Sequence, residues 1–265
     1  IGIDKNFPAR FLMPLMDLVD ECHFELGSEC VDRVRMVKDE KEQQLMIEAS
    51  KINDLVVDEV INICAKGNLT EKEVSDQLAG IYQKHGCTGN SFEPIVAYGK
   101  NGADNHHSGD DSTLKPGDSI VIDIGGLYKG YCSDMTRTVF YKEVSPKQKA
   151  VYELVLKAQK AAEAMIKPGI RLCDIDKCAR DIIAEGGYTV EFNHRLGHFI
   201  GRDVHEWGDV SQNYDIQEGM TFSIEPGVYL QGEFGVRIED LVLVTEDGCK
   251  VLNSYPKDLK VIGND

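Results

Sequence analysis

Residues 119–126 read Ser-Ile-Val-Ile-Asp-Ile-Gly-Gly, an apolar run with an aspartate, Asp123, in its middle. The apolar residues predict a strand that is buried on both faces. A lone buried carboxylate is costly unless a partner compensates its charge. Eleven residues later, past a glycine-rich turn, Asp134 lies in a second strand-like stretch. Two paired strands can place such carboxylates about 5 Å apart, where they repel unless they share a proton or a cation.

The second half of the chain repeats this pattern of acids inside apolar stretches. Glu225 lies in Met-Thr-Phe-Ser-Ile-Glu-Pro-Gly, and Glu239 lies in Gly-Val-Arg-Ile-Glu-Asp-Leu-Val. Glu225 follows Asp123 by 102 positions, and Glu239 follows Asp134 by 105 positions. Two hairpins, one from each half, would bring four carboxylates to a shared centre, and such a centre requires cations.

Two divalent ions would balance these four charges, and His198 has the glycine-flanked setting that suits a further ligand. Carboxylates with one imidazole favour hard to borderline ions such as Mn, Co, Fe or Zn. Taken singly, Asp134 or Glu239 is better explained as a surface-facing strand residue or a salt-bridge partner. Taken together, the matched halves predict a metal centre. Its ligands are Asp123, Asp134, His198, Glu225 and Glu239.

Helix signals flank the strands in both halves. The sequence predicts helices over residues 8–22, 39–65, 70–86 and 145–166, with one more that ends at Gly186. Strands are predicted at residues 95–97, 120–124, 139–141, 220–229 and 235–245, and the charged run before residue 42 is predicted to be a connector. The helix-ending residues Gly67 and Gly169 are 102 positions apart, close to the offset of the acids, although coincidence also explains such a spacing.

Composition narrows the class of protein. A formal net charge of −16 disfavours nucleic acid and anionic membranes as partners, because either would repel a protein of that sign. The sequence contains no apolar run of roughly 20 residues, so no membrane span is predicted. Eight scattered cysteines without a Cys-x-x-Cys pair predict reduced thiols. These features predict a soluble, cytoplasmic protein.

The ligand segments resemble the peptidase family that includes methionine aminopeptidase, Xaa-Pro dipeptidase and Xaa-Pro aminopeptidase, with creatinase as a relative. The similarity extends over about residues 37–260. The similar motifs are the Asp123 and Asp134 spacing, Gly197-His198 with His205-Glu206, Ile224-Glu225-Pro226-Gly227, and the Gly235 to Asp240 stretch. Because all five ligand positions are filled, the chain resembles neither creatinase nor the non-catalytic members.

This resemblance implies an α+β pita-bread fold, with two pseudo-symmetric helix-helix-sheet halves around a curved antiparallel sheet. It implies a catalytic domain over residues 37–265. Residues 1–36 are expected to be the tail of a truncated N-terminal domain. Two divalent metal ions are implied, with Mn favoured and Co or Zn as alternatives, and a homodimer is compatible with the family.

Two segments resemble the proline-specific branch of the family. Arg237 lies two residues before Glu239, as in that branch. Residues 98–107 resemble its Asn-x-Ala-x-Pro-His signature, although Asn105 replaces the proline before His106. The implied activity is metal-dependent hydrolysis of the N-terminal Xaa-Pro bond in dipeptides or short peptides that carry proline second.

The resemblance also implies how the metal ions are shared. Asp123 would hold one ion, His198 and Glu225 the other, and Asp134 and Glu239 would bridge both. A water between two metals loses a proton near neutral pH and becomes the nucleophile.

The catalytic roles are then assigned to residues that contact water or substrate. Glu225 is the candidate general acid and base. His106 and His205 are candidates for binding the substrate and stabilising the tetrahedral intermediate. Arg237 is a candidate either for binding a substrate carboxylate or for orienting a metal ligand. His107 is left without a role, and His194 is interpreted, with His23 and His85, as solvated or structural.

Two alternative functions remain open at this stage. A methionine aminopeptidase would have the same ligands, and turnover of a Met-Ala peptide would reveal it. A peptide-binding module on the same fold would lack activity, and failure to bind metal would favour it.

Overall fold

The structure, a computed structural model, describes residues 1–19 and 21–264. Its helices are α1 Ala9–Leu18, α2 Ser28–Met36, α3 Glu40–Ala65, α4 Glu71–Lys84, α5 Pro146–Met165 and α6 Leu172–Glu185. Its strands are β1 Gly2–Ile3, β2 Glu25–Leu26, β3 Ile95–Tyr98, β4 Ser119–Ile124, β5 Leu127–Tyr128, β6 Tyr131–Cys132, β7 Met135–Tyr141, β8 Thr221–Ile224, β9 Gly227–Leu230, β10 Phe234–Arg237, β11 Asp240–Val244, β12 Cys249–Val251 and β13 Val261–Ile262. Residue 20 of the predicted first helix and residue 265 of the predicted catalytic domain lie outside the described residues.

Three of the helices begin at capping boxes, which confirms the predicted starts. In each box the first side chain accepts the N–H of the residue three positions later, whose side chain accepts the N–H of the first. The boxes are Asp39 with Glu42 before α3, Thr70 with Glu73 before α4, and Ser145 with Gln148 before α5.

Each half pairs two helices with a small sheet. In the first half, β3, β4 and β7 are antiparallel neighbours and β13 adds a parallel edge. Their apolar side chains join α3 and α4 in one core that includes Val57, Leu78 and Ile122. In the second half, β8, β11 and β12 form one sheet and β9 pairs with β10. These strands share a second core with α5 and α6 that includes Val155 and Phe222.

The two halves meet where β7 lies beside the segment from β10 to β11. The main-chain N–H of Glu239 donates to the carbonyl of Thr136 at 3.1 Å. The hydroxyl of Thr138 donates to the carbonyl of Arg237 at 2.9 Å. These bonds fix the second ligand segment of one half against that of the other.

The observed helices and strands differ from the predicted ones at several places. The predicted stretch 220–229 divides into β8 and β9 at Glu225-Pro226, because Pro226 has no N–H to donate and the N–H of Glu225 bonds to Leu196 instead. The stretch 235–245 divides at Ile238-Glu239. The connector before residue 42 contains the unpredicted helix α2. Among the described residues, none of the helices combines the length and apolarity needed to cross a bilayer.

Candidate metal centre

One pocket of about 410 Å³ collects the candidate residues from both halves. The five predicted metal ligands all line it: Asp123, Asp134, His198, Glu225 and Glu239. The three candidates for substrate contact line the same pocket: His106, His205 and Arg237. Residues up to 133 positions apart in the sequence therefore share one cavity.

The ligand candidates lie in or next to interruptions of the strands. Asp123 is the fifth residue of β4 and is paired in register with Thr136 of β7. Asp134 lies between β6 and β7, Glu225 between β8 and β9, and Glu239 between β10 and β11. At a strand break a side chain can leave the alternating pleat, which allows these carboxylates to converge.

Three carboxylate oxygens at the centre are buried and accept no hydrogen bond from any described residue: Asp123 Oδ1, Asp134 Oδ1 and Glu239 Oε1. Ligand atoms of Asp134, His198 and Glu239 all lie within 4.8 Å of one another. Buried carboxylate oxygens normally have a partner, so these free lone pairs fit divalent cations. Four carboxylates and one imidazole also form a donor set that suits Mn, Co or Zn.

The imidazole of His198 is held in the orientation that a metal ligand needs. Its Nδ1 lies 3.2 Å from the carbonyl of Phe199, to which it can donate. Nε2 then carries the lone pair, and it lies 3.4 Å from Asp134 Oδ2 and 3.5 Å from Glu225 Oε1. A carbonyl that fixes the far nitrogen is the usual support for a metal-binding histidine.

Burial and mutual repulsion favour the protonated forms of three of these carboxylates when no cation is bound. Burial, followed by repulsion from Asp123, raises the pKa of Asp134 well above its usual value. Burial and the charge of Asp134 likewise raise the pKa of Glu239. Burial raises the pKa of Glu225 to about 7, although His198 and Arg237 oppose the shift. Bound cations would reverse this trend, because they stabilise the ionised carboxylates.

Arg237 connects the centre to its surroundings through three nitrogen atoms. Its Nη2 donates to Asp123 Oδ2 at 2.6 Å, its Nε to Thr136 Oγ1 at 3.0 Å and its Nη1 to Tyr229 at 2.8 Å. Thr136 in turn donates to Glu239 Oε2 at 2.6 Å. Of the two roles expected for Arg237, this geometry favours orienting a ligand over binding a substrate carboxylate.

Two residues at this site were missed by the sequence analysis. His194 also lines the pocket, and its Nε2 lies 2.9 Å from the hydroxyl of Tyr229. Its Nδ1 faces the carbonyl of Arg195 at 2.7 Å, so Nε2 accepts the tyrosine proton. Burial and the charge of Arg237 lower the pKa of His194 to about 3, which keeps it neutral. A lone histidine gives no sequence signal, although Tyr229, four residues after Glu225, could have been tested as a site residue.

His106 and His107 lie on the loop that follows a 3₁₀ turn over Gly99–Ala103. His107 Nε2 contacts Glu71 Oε2 at 2.7 Å, and the buried Glu71 also accepts from the N–H groups of Tyr98 and Asp110. Because the Glu71 carboxylate is saturated with donors, this contact anchors the loop. His106 is the imidazole of this loop that no such contact engages among the described residues.

His205 faces His198 from a second loop. The two rings meet edge to face, with centroids 4.3 Å apart. Burial and the neighbouring His198 lower the pKa of His205 to about 4, so its imidazole is neutral near pH 7. A neutral imidazole still carries one N–H that can donate to a substrate oxygen.

A fold of two matched halves with a carboxylate-rich pocket at their junction has the donor set of a metal-binding site. The chain belongs to metallopeptidase family M24, whose family model matches residues 44–246. This match confirms the family that the sequence motifs indicate.

Several known proteins are similar over nearly the whole chain. A Bacillus subtilis protein designated YkvY is 44% identical over 241 residues, which cover 90% of this chain and 66% of that protein. The Xaa-Pro dipeptidase of Pyrococcus horikoshii is 39% identical over 262 residues, which cover 98% of this chain and 74% of the dipeptidase. The crystal structure of the Pyrococcus horikoshii prolidase superposes with a TM-score of 0.93 at 38% identity, and covers 97% of this chain and 75% of the prolidase chain.

The structural similarity confirms the predicted pita-bread fold. The chain nevertheless spans slightly less than two thirds of the YkvY protein and about three quarters of the Pyrococcus proteins. Activity and substrate are therefore matters of proposal for this chain.

Proposed function

We propose that this chain carries the catalytic centre of a metal-dependent exopeptidase that hydrolyses the bond between an N-terminal residue and proline. The observation that carries the proposal is the single pocket in which three buried carboxylate oxygens lack a hydrogen-bond partner among the described residues. His106 and His205 line the same pocket from two different loops, where their imidazoles can reach a bound substrate. The names of the similar proteins, an Xaa-Pro dipeptidase and a prolidase, favour proline at the second position over an initiator methionine.

We propose that all five ligand candidates hold two divalent ions, with Mn as the preferred metal. When bound, such ions polarise the substrate carbonyl and lower the pKa of a coordinated water. As the family resemblance implies, Asp134 and Glu239 would be shared by both ions, and they are the most deeply buried of the carboxylates at the centre. Asp123 would hold one of the ions through Oδ1, since Arg237 Nη2 donates to its Oδ2 at 2.6 Å.

The chain's own residues complete the reaction. Glu225 takes up a proton at its carboxylate and returns it to the leaving nitrogen, and the hydroxyl of Ser223 holds Oε1 at 3.2 Å. His205 and His106 approach the substrate from two different loops of the pocket. Each donates a hydrogen bond to the carbonyl oxygen as negative charge develops there.

The division of the chain follows the same proposal. Residues 37–265 form the catalytic domain, and residues 1–36 belong to a preceding domain. Two observations support this: the family match begins at residue 44, and α1 buries none of its own side chains. All eight cysteines are free thiols, which supports a cytoplasmic location.

The proposal is tested by hydrolysis of Ala-Pro, Ala-Pro-Ala and Met-Ala-Ser with chelator-stripped protein to which Mn, Co or Zn is returned. Metal-dependent cleavage of the proline peptides alone is expected, and the ratio between the first two separates a dipeptidase from an aminopeptidase. Cleavage of Met-Ala-Ser alone would reassign the chain to methionine aminopeptidases. Absence of cleavage with every metal, also in a longer chain with the preceding domain, would leave a peptide-binding role.

A further inference from the structure

Glu206 fastens the loop that carries His205 to the segment before α3. Its carboxylate is only 3% exposed, and it accepts from Lys38 Nζ at 2.9 Å and from Arg35 Nη2 at 2.7 Å. It also accepts from the main-chain N–H of Arg202 at 3.0 Å, within its own loop. The side chain of Lys38 is 2% exposed, so this is a buried ion pair between two distant parts of the chain.

Both ends of this ion pair are held rigidly. The main-chain N–H of Lys38 donates to the carbonyl of Gly219 at 2.8 Å, and its Nζ also donates to the carbonyl of Arg35. At the other end, a Cβ on Gly201 would lie 2.7 Å from Glu206 Oε1. The loop backbone therefore passes directly against the carboxylate, and a side chain at position 201 would require the Glu206 carboxylate to move.

His205 has no comparable anchor of its own. Its imidazole takes part in no hydrogen bond with the described residues. The ring packs edge to face on His198. The nearest fixed point along the chain is the next residue, Glu206. The orientation of the His205 ring therefore depends on where the ion pair holds the loop.

We propose that Glu206 is a positioning residue for His205, and that Lys38 and Arg35 form the cationic half of this anchor. The inference rests on the proposed function, since it requires that His205 contacts the substrate. Both cationic residues precede the family-matched segment at residue 44, so the region before α3 contributes to the geometry of the active site. Removing the charge of Glu206 leaves the buried ammonium group of Lys38 without its carboxylate partner, and removing Lys38 leaves Glu206 with only the more exposed Arg35. Either change is expected to displace the loop.

The decisive experiment is a double-mutant cycle between Glu206→Gln and His205→Ala, measured on Ala-Pro with the metal-loaded protein. In the wild-type background Glu206→Gln is expected to lower kcat/KM roughly 10-fold, as for other residues that orient a functional side chain. In the His205→Ala background it is expected to have no further effect. An equal loss in both backgrounds would overturn the proposal, because Glu206 would then act independently of His205.

Three variants separate the effect of the ion pair from a general effect on the loop. Asp203 lies on the same loop and also binds Arg35, at 2.7 Å, but its side chain is 67% exposed. Asp203→Asn should leave kcat/KM unchanged, since an exposed pair contributes little. Lys38→Met should reproduce the Glu206→Gln loss, and Lys38→Arg should restore most of the activity. Full activity in Lys38→Met would contradict the anchor.

A second readout does not require turnover. In protein labelled with ¹⁵N-histidine, the ring signal of His205, assigned by its loss in His205→Ala, should shift or broaden in Glu206→Gln. The ring signal of His85, which pairs with Glu59 on a distant helix, should stay in place. If Glu206→Gln fails to fold, the double variant Lys38→Met/Glu206→Gln, which removes both charges of the buried pair, is measured in its place. An unchanged His205 signal would refute the anchor, whether or not the wild-type chain cleaves a peptide. Failure of the wild-type chain to cleave any peptide would refute only the proposed function.

Discussion

Arg237 is expected to support the proposed metal centre without binding a metal ion itself. Its guanidinium donates hydrogen bonds to Asp123, Thr136 and Tyr229 through three different nitrogen atoms. Lysine offers a single ammonium group and cannot span these acceptors. We expect Arg237→Lys to weaken Mn binding roughly 10-fold, measured by isothermal titration calorimetry.

A matched control is available on the surface. Arg171 pairs with Asp174 at 2.8 Å, and its side chain is half exposed. Arg171→Lys should leave Mn affinity and thermal stability unchanged. Equal Mn affinity in Arg237→Lys and the wild type would show that Asp123 needs no support from the guanidinium.

His194 gives the site a defined dependence of stability on pH. Its pKa falls from the ordinary value of 6.5 to about 3 on folding. Between these two pH values the unfolded chain binds a proton at His194 and the folded chain does not. Stability is therefore retained above pH 6.5 and lost as pH falls through this window, by about 1.4 kcal/mol per pH unit for one group. In metal-free protein, His194→Gln should lose less stability between pH 6.5 and 4.5 in urea unfolding. A parallel loss in both proteins would contradict the assignment.

The residues of the site differ in how far the sequence could reveal them. Asp123 and Glu225 stand out because each interrupts an apolar stretch, and a charge there needs an explanation. His194 and Tyr229 follow no such pattern, since histidine and tyrosine are ordinary in partly buried positions. Their roles depend on a contact across 35 positions, which only the folded chain defines.

At the level of helices and strands, the sequence predicts the start of a helix where neighbouring residues supply the hydrogen bonds that cap it. The capping boxes at Thr70 and Ser145 satisfy the first N–H groups of α4 and α5, and both helix starts were predicted. The strand breaks at Glu225 and Glu239 were not, because apolar residues resume soon after each acid, at Val228 and Leu241. Helix α2 was missed because it is short and its buried residues include Ser28 and Asp32, which carry no apolar periodicity.

Gly235 sets the distance between β10 and the 3₁₀ turn that leads to His106. A Cβ on Gly235 would lie 1.7 Å from the carbonyl oxygen of Gly102, so alanine requires the backbones to separate. Gly235→Ala should destabilise the protein by about 3 kcal/mol or more. Gly80, inside α4 with open space around it, is the control: Gly80→Ala should stabilise by up to about 1 kcal/mol. Denaturant unfolding measures both, and a neutral Gly235→Ala would refute the close packing.

For the molecule as a whole, the metal centre exists only while the two halves stay in register. Arg137 crosses the junction, where Nη1 donates to the carbonyl of Glu239 and Nη2 to Asp240 Oδ1, both at 2.6 Å. Its side chain is 2% exposed. Arg137→Met should cost about 3 kcal/mol of folding free energy, since it leaves Asp240 with Lys257 as its remaining cation. A cost below about 1 kcal/mol in urea unfolding would show that the junction does not depend on this pair.

The pseudo-symmetry explains why the centre could be predicted although the junction could not. Each half places two acids at a similar offset, and that offset is visible in the sequence. The bonds that join the halves, such as Thr138 to Arg237, involve polar residues without a distinctive pattern. Their pairing depends on how the two cores pack against each other.

The proposed metal centre holds two divalent ions through carboxylates from both halves of the chain. Elemental analysis of the chelator-stripped protein after equilibrium dialysis against Mn tests it most directly. We expect two equivalents of Mn per chain in the wild type and a loss of tightly bound metal in Glu239→Ala, whose carboxylate belongs to the proposed bridge. No bound Mn in the wild type, or the same two equivalents in Glu239→Ala, would contradict the account.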